Sequence, residues 1–331
     1  MLGALAGLGA AAIAVMDPFQ VLRPARGTEN LYSAVEFQIP GLARHYPYDA
    51  VVTGTSTSNN FRPAHITAAL GWHAMNFAIA ASSIQEQRAV LDVALATGRV
   101  RHVLWAIDPF AFRPREGRSF PYYLYGEPGW RTAPYFLSLG ALQHGLASLL
   151  TPDAEKMSLA RWTEERNWST WYAYGPDPVA LAWSHRRALG PSPLPDTAAA
   201  AVAAIDDSIV GLIRAHPGVR FDLVLLPYNV LYYKMLLLDR PREFEALCGL
   251  DTALVARAGT LPSVAIHNFR DDDLIITNMD NFHDLLHFSG ELSDRLIDDV
   301  AAGRRRTDIA AFAGVCGRIR GIAAAYPAPP G

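Results

Sequence analysis

A serine and an aspartate–histidine pair are the residues whose types and spacing suit joint chemistry. Ser56 ends a Gly-Thr-Ser sequence, between a short apolar run and a helical pattern. Asp284 and His287 lie three residues apart near the C-terminal end. A serine hydroxyl becomes a nucleophile when an imidazole takes its proton and a carboxylate orients that imidazole. The sequence therefore predicts a catalytic Ser56–His287–Asp284 triad, with an ordinary turn, a capping Asp and a surface His as the alternative.

Apolar runs that alternate with helical patterns predict the framework, a parallel sheet covered by helices. The predicted strands are 49–53, 73–79, 100–107, 221–226 and 264–269. The predicted helices are 64–70, 82–97, 197–215, 291–302 and 306–324, and Ser83 and Glu86 have capping-box spacing in the second of them. Because parallel strands end at one edge, where open α/β sheets bind ligands, Ser56 and His287 are expected there.

The alternation lapses between about residues 112 and 195. Five of the seven tryptophans fall in this stretch, which predicts an aromatic-rich insertion within a single α/β domain, 17–331. Most of these aromatic residues are expected to pack the insertion onto the sheet. A few are candidates to line a groove for a sugar or an acyl chain.

Composition narrows the classes of function. A hydrophobic fraction of 50% with 18% charged residues excludes disorder, and a net charge of −3 disfavours nucleic-acid partners. Cys248 and Cys316 are too few for a disulfide scaffold or a cysteine-based metal site. Two separate buried thiols are expected, with one bridge as the alternative. The acidic run 271–273 predicts a solvated turn, because three consecutive acids do not face one point as cation ligands would. No metal or cofactor is expected.

The first 16 residues are uncharged and apolar, and Asp17-Pro18 ends the run. As a helix this run is roughly 24 Å long, which is shorter than a membrane-spanning helix of about 20 residues, or roughly 30 Å. A signal peptide has a basic segment before its apolar run, and no such segment precedes residues 1–16 in this sequence. We interpret 1–16 as the lower part of a membrane anchor whose charged start precedes this sequence, and a buried N-terminal helix is the alternative. The anchor predicts a periplasmic or extracytoplasmic domain held at the inner membrane.

Four blocks resemble the SGNH/GDSL hydrolase superfamily over about residues 17–300. They are the Gly-x-Ser after the first strand, 76–82 after the second, 107–110 after the third and the Asp284-x-x-His287 pair. The chain looks most like membrane-anchored, exported members related to alginate O-acetylation proteins and the D-alanyl transfer protein of teichoic acids. The resemblance implies a flavodoxin-like three-layer sandwich. It also implies ester hydrolysis or acyl transfer on a serine, with an acylated cell-envelope polysaccharide as substrate and a membrane-bound O-acyltransferase as a partner.

The chain departs from the superfamily pattern around the expected oxyanion site. Thr55 replaces the usual aspartate of the first block, and Ala81 replaces a glycine that donates its backbone N–H, at a position where φ > 0 would strain alanine. Asp108 occupies the position at which the superfamily has an asparagine whose side chain donates a hydrogen bond to the oxyanion. An ionised carboxylate cannot donate such a bond. Losing one such donor costs on the order of 10²–10³ in rate. The candidates to replace the donor are Asn59, Asn60 and Asn76. A catalytically inactive scaffold that binds a polysaccharide or a partner acyltransferase is the alternative function.

Overall fold

One six-stranded sheet organises the part of the chain that the structure describes. The computed structural model describes residues 2–31, 34–113, 119–127, 129–165, 168–188, 194 and 198–329. The strands are β1 Ala50–Thr53, β2 Ala74–Asn76, β3 His102–Ile107, β4 Arg220–Leu225, β5 Val264–Asn268 and β6 Arg306–Thr307. Their order is β2-β1-β3-β4-β5-β6. The first five strands are parallel, as predicted, and β6 adds an unpredicted antiparallel edge.

Helices cover the sheet, and the fold is mixed α/β, consistent with three layers. Among the described residues the α-helices are α1 Leu2–Met16, α2 Ile39–His45, α3 Pro63–Leu70, α4 Ile84–Leu95, α5 Tyr122–Tyr125, α6 Ala133–Phe136, α7 Leu139–Leu150, α8 Leu159–Glu165, α9 Pro176–Ser184, α10 Ala198–Ile205, α11 Gly211–Ala215, α12 Val230–Asp239, α13 Pro241–Ala258, α14 Asp273–Ile276, α15 Gly290–Ala301, α16 Ile309–Phe312 and α17 Val315–Ala325. A π-helical turn, Asp206–Val210, joins α10 to α11.

Local sequence explains most of these elements. All four residues of β1 are buried, as expected of a central parallel strand that is covered on both faces. The predicted capping box begins α4: the Glu86 N–H donates to Ser83 Oγ at 3.2 Å, and the Ser83 N–H donates to Glu86 Oε2 at 2.7 Å. The chain passes from β1 to β2 and then back beyond β1 to β3. Right-handed crossovers therefore put α3 and α4 on opposite faces of the sheet.

Two predictions about the C-terminal part are wrong. The expected helix over 306–324 is interrupted, because 306–307 pairs with β5 and Asp308 caps the short α16 by accepting the Ala311 N–H at 2.8 Å. The two cysteines are not separate thiols. Cys248 on α13 and Cys316 on α17 form a disulfide, with their Cα atoms 5.9 Å apart. The pairing depends on how α17 folds back onto the domain, which no local pattern specifies.

The aromatic-rich insertion contains α5–α9, and its predicted C-terminal boundary near 195 lies outside the described residues. Trp162 and Trp183 are buried in the core, as expected for packing residues, whereas Trp130 and Trp171 are largely exposed. The insertion also packs against the N-terminal helix, because α6 and α7 contact α1. Within the described residues, no helix is both long and apolar enough to cross a membrane.

Candidate active site

The turn after β1 presents Ser56. Gly54 has φ +152°, and a Cβ at this position would lie 2.4 Å from Ser58 Oγ, so only glycine fits here without a shift. The chain then enters a 3₁₀ turn, Ser56–Ser58, and the Ser58 hydroxyl donates to the Thr55 carbonyl at 2.9 Å. Ser56 is half-buried while Thr55, Thr57 and Ser58 are buried. The buried side chains of this turn therefore hold it in place, and Ser56 is partly exposed.

The structure brings the three predicted triad residues together. Ser56 Oγ lies 2.8 Å from Nε2 of His287, and Nδ1 of His287 lies 2.7 Å from Oδ2 of Asp284. The other carboxylate oxygen, Oδ1, accepts the backbone N–H groups of Leu286 and His287, each at 2.7 Å. Asp284 thus fixes the orientation of the imidazole and the loop that carries it. The geometry allows a proton to move from the serine to the imidazole.

Asp284 and His287 each stabilise the charged form of the other. Burial alone would lower the pKa of His287, but its hydrogen bond to Asp284 and the charges of Asp284 and Asp108 raise it above its ordinary value. Burial likewise opposes ionisation of Asp284, yet the hydrogen bond and charge of His287 bring the pKa of that carboxyl below its ordinary value. An imidazolium is therefore stabilised at the position where a general base would acquire its proton.

The loop that carries His287 is closed at its base by a bridge between Phe282 and Phe288, both buried. Inside the loop, the His283 N–H donates to the His287 carbonyl at 3.2 Å, and the two imidazoles stack at 5.3 Å. Tyr172 of the insertion stacks on His283 at 4.4 Å. The insertion thus contacts the loop that carries His287. Its high aromatic content was the only sequence signal for this contact.

Asp108, the residue expected at the oxyanion site, accepts hydrogen bonds within the protein. It is fully buried at the end of β3. Its Oδ2 accepts the hydroxyls of Thr55 and, at 2.6 Å, of Thr57, and its Oδ1 accepts the hydroxyl of Tyr228. Three donors therefore occupy the carboxylate, which supports the Ser56 turn from beneath. The threonine that departs from the superfamily pattern at position 55 is one of those donors.

A second buried charge cluster continues from Tyr228. The Arg270 guanidinium is 5.0 Å from the centroid of the Tyr228 ring, and its Nε is 2.5 Å from Oδ2 of Asp251. Arg270 also donates to the carbonyls of Ile107 at 3.0 Å and Leu226 at 3.1 Å, at the ends of β3 and β4. Burial raises the pKa of Asp251 to about 6, against the opposing charge of Arg270. Nothing in the sequence pattern predicted this cluster.

Asn76 and Asn60 are occupied by the backbone around the serine turn. The Asn76 amide donates to the carbonyls of Ser58 at 2.9 Å and Phe61 at 2.8 Å, and the Asn60 amide donates to the Phe288 carbonyl at 3.2 Å. Both asparagines are fully buried, so they brace the turn. Asn59 differs, because it is half-buried.

Ala81 is exposed and has φ +53°, the left-handed conformation that was expected to strain alanine. Its turn is attached to the carbonyl of Gly54. The Ile79 N–H donates to that carbonyl at 3.1 Å, and the Ser82 hydroxyl donates to it at 3.0 Å. The turn after β2 therefore lies beside the turn that presents Ser56.

No protein-family model, curated protein or solved structure matches this chain. Chemical assignment therefore depends on the site itself. The ligand atoms of His283, Asp284 and His287 lie within 4.8 Å of one another, close enough to hold a cation. However, both ring nitrogens of His287 already lie within 2.8 Å of Ser56 or Asp284. This arrangement fits a proton relay better than a metal site.

Proposed function

We propose that this protein is a serine-dependent esterase or O-acyltransferase of the SGNH type that acts on an acylated cell-envelope polysaccharide or a related glycan. The observation that carries the proposal is the continuous chain of contacts from Ser56 Oγ through His287 to Asp284. The strand order β2-β1-β3-β4-β5 is that of flavodoxin-like sheets, and this agreement supports the SGNH-like fold.

In the proposed reaction Ser56 Oγ attacks the acyl carbonyl carbon while Nε2 of His287 takes the hydroxyl proton. The tetrahedral intermediate collapses, the imidazolium returns the proton to the departing sugar oxygen, and an acyl-serine remains. His287 then deprotonates a water molecule or an acceptor hydroxyl, which attacks the acyl-serine and releases Ser56. The charge of Asp284 stabilises the imidazolium in both steps.

We assign the oxyanion donors to the Asn59 side chain and the Ala81 backbone N–H. Asn59 follows Ser56 by three residues across a 3₁₀ turn, and residues at this spacing lie on the same side of such a turn. It is also half-buried, whereas Asn60 and Asn76 are fully buried. Ala81 belongs to the turn attached to Gly54. These two donors replace the asparagine and the glycine of the superfamily pattern.

An extracytoplasmic location is part of the proposal. A disulfide persists in oxidising compartments and is rare in the cytosol, so the Cys248–Cys316 bond supports a periplasmic domain. Anchoring by the N-terminal segment would hold the site near the membrane, where a membrane-bound O-acyltransferase could supply or receive the acyl group.

Hydrolysis of p-nitrophenyl acetate, and of an acetylated polysaccharide, tests the proposal. Wild-type protein should turn over both esters, Ser56→Ala should abolish turnover, and Asn59→Ala should lower kcat by about 10²–10³. The control Ser184→Ala removes an exposed serine of α9 and should leave the rate unchanged. Polysaccharide binding without turnover by the wild type would instead identify the inactive scaffold.

A further inference from the structure

The N-terminal helix α1 and the insertion helix α7 contact each other, and each exposes large apolar side chains. Neither helix contains Asp, Glu, Lys or Arg, and the uncharged stretch around α7 runs from 132 to 152 apart from His144. Seven large apolar side chains of the two helices are 50–85% exposed: Leu5, Leu8, Val15, Leu139, Leu146, Leu149 and Leu150. Their spacing along each helix places them on one face of that helix. We call these seven residues the apolar face.

Helix α15 differs from α1 and α7 where it meets water. Helix α15 buries Leu292 and Leu296 and exposes Glu291, Arg295 and Asp298. That is the usual pattern for a helix between a core and solvent. Exposed apolar patches of this kind mark interaction surfaces.

The two helices are locked together. Gly145 of α7 packs on Met16, since a Cβ at Gly145 would lie 2.8 Å from the end of the Met16 side chain. The Tyr135 hydroxyl donates to Asp17 at 3.0 Å, and the ring of Phe19 stacks on His144 at 5.7 Å. The position of α7 is therefore fixed relative to the end of α1.

Both helices leave the apolar zone at the same level. Charged residues that follow α1 and α7 line a single cavity together with Met16 and Leu149: Asp17, Arg26, Glu29, Asp153 and Lys156. A common boundary between an uncharged zone and a charged one matches the edge of a lipid bilayer. An interface with a second copy would need no such common level.

We propose that the apolar face docks on the membrane surface, so that α7 of the insertion is a second membrane contact beside α1. The occupant is a lipid bilayer, into whose headgroup and acyl boundary the exposed leucines of α7 insert. Two contacts fix the orientation of the domain, and hence of Ser56, relative to the membrane. The inference rests on the proposed membrane location but not on the chemistry at Ser56.

A polarity-sensitive dye attached to full-length Leu146→Cys tests this docking. Vesicles of phosphatidylethanolamine and phosphatidylglycerol should shift its emission to the blue. The same dye on Leu238→Cys, an exposed position of α12, should not respond. Leu146→Glu and Leu150→Glu should each weaken vesicle binding at least about tenfold, since a buried leucine contributes more than a factor of ten. Leu238→Glu should have no effect.

Two results would overturn the proposal. One is that Leu146→Glu and Leu150→Glu bind vesicles as tightly as the wild type does. The other is a lipid-free dimer of the wild type that these variants dissociate, which would assign the apolar face to a second copy. Hydrolysis of a soluble ester by the same variants monitors the Ser56 site separately. A protein that binds vesicles but lacks esterase activity would contradict the proposed function and leave the docking surface intact.

Discussion

At the scale of single residues, the triad was predictable and its support was not. Ser56, Asp284 and His287 have types and local spacing that suit catalysis, and Ser56 and Asp284 each lie within 2.8 Å of a ring nitrogen of His287. The role of Asp108 depends on hydroxyls from two distant parts of the chain. Such a contact has no period and no spacing, so only the folded chain reveals it.

Replacing Asp284 by asparagine should change both the rate and its pH dependence. Asp284 raises the pKa of His287, and the base must be neutral to act, so wild-type kcat/KM should rise with pH through a pKa above the ordinary 6.5. Asp284→Asn removes the charge that stabilises the imidazolium, so the midpoint should move to lower pH. In triads of this type kcat falls by on the order of 10⁴. A midpoint that stays in place would show that Asp284 does not interact with the base.

Replacing Asp108 by asparagine should destabilise the protein. The buried carboxylate accepts three hydroxyl donors, and an amide nitrogen cannot accept any of them. Urea denaturation should show a loss of about 1–3 kcal/mol in the free energy of unfolding, and ester hydrolysis should slow as the Ser56 turn loosens. Asp92→Asn, at an exposed ion pair with Arg88, should cost less than about 1 kcal/mol. Faster hydrolysis by Asp108→Asn would instead place this carboxylate at the oxyanion.

At the scale of elements, the central strands and α4 follow from local sequence, because a buried run or a capping box specifies each of them. The C-terminal part does not. Its β6 strand has two residues, and the start of α16 at residue 309 depends on the pairing of β6 with β5 and on the Asp308 cap. The Cys248–Cys316 bond likewise depends on how α13 and α17 pack.

Replacing Ala81 by glycine should stabilise the turn after β2. Ala81 has a left-handed conformation that costs a residue with a Cβ about 1–2 kcal/mol. The greater freedom of glycine in the unfolded chain offsets part of this gain, so the free energy of unfolding should rise by up to about 1 kcal/mol. The control Ala256→Gly, on the exposed side of α13, should lower it by about 1 kcal/mol. A destabilised Ala81→Gly protein would contradict the strained turn.

Breaking the disulfide should weaken the attachment of α17. Cys248 and Cys316 are 68 positions apart, so their bond constrains a long loop in the unfolded chain. Cys248→Ser with Cys316→Ser should lower the free energy of unfolding by about 2–5 kcal/mol in chemical denaturation. Dithiothreitol should destabilise the wild type by a similar amount and leave the double variant unchanged. Equal stability of the two proteins under oxidising conditions would argue against the bond.

At the scale of the whole molecule, the insertion contacts both the proposed active site and the proposed membrane-binding helix. It stacks Tyr172 against the loop that carries His287, and it packs α7 against the N-terminal helix. The sequence located this insertion by its tryptophans and by the lapse in alternation. It could not predict which surfaces the insertion joins, because those contacts cross between parts of the chain that are distant in sequence.

Covalent labelling with a fluorophosphonate probe tests the central claim most directly. The probe reacts with a serine only when a base activates it. Mass spectrometry of the wild type should find the adduct on Ser56. Ser56→Ala and His287→Ala should lose the adduct, while both variants keep the circular dichroism spectrum of the folded protein. An unlabelled wild type, or an adduct on another serine, would contradict the catalytic role of Ser56.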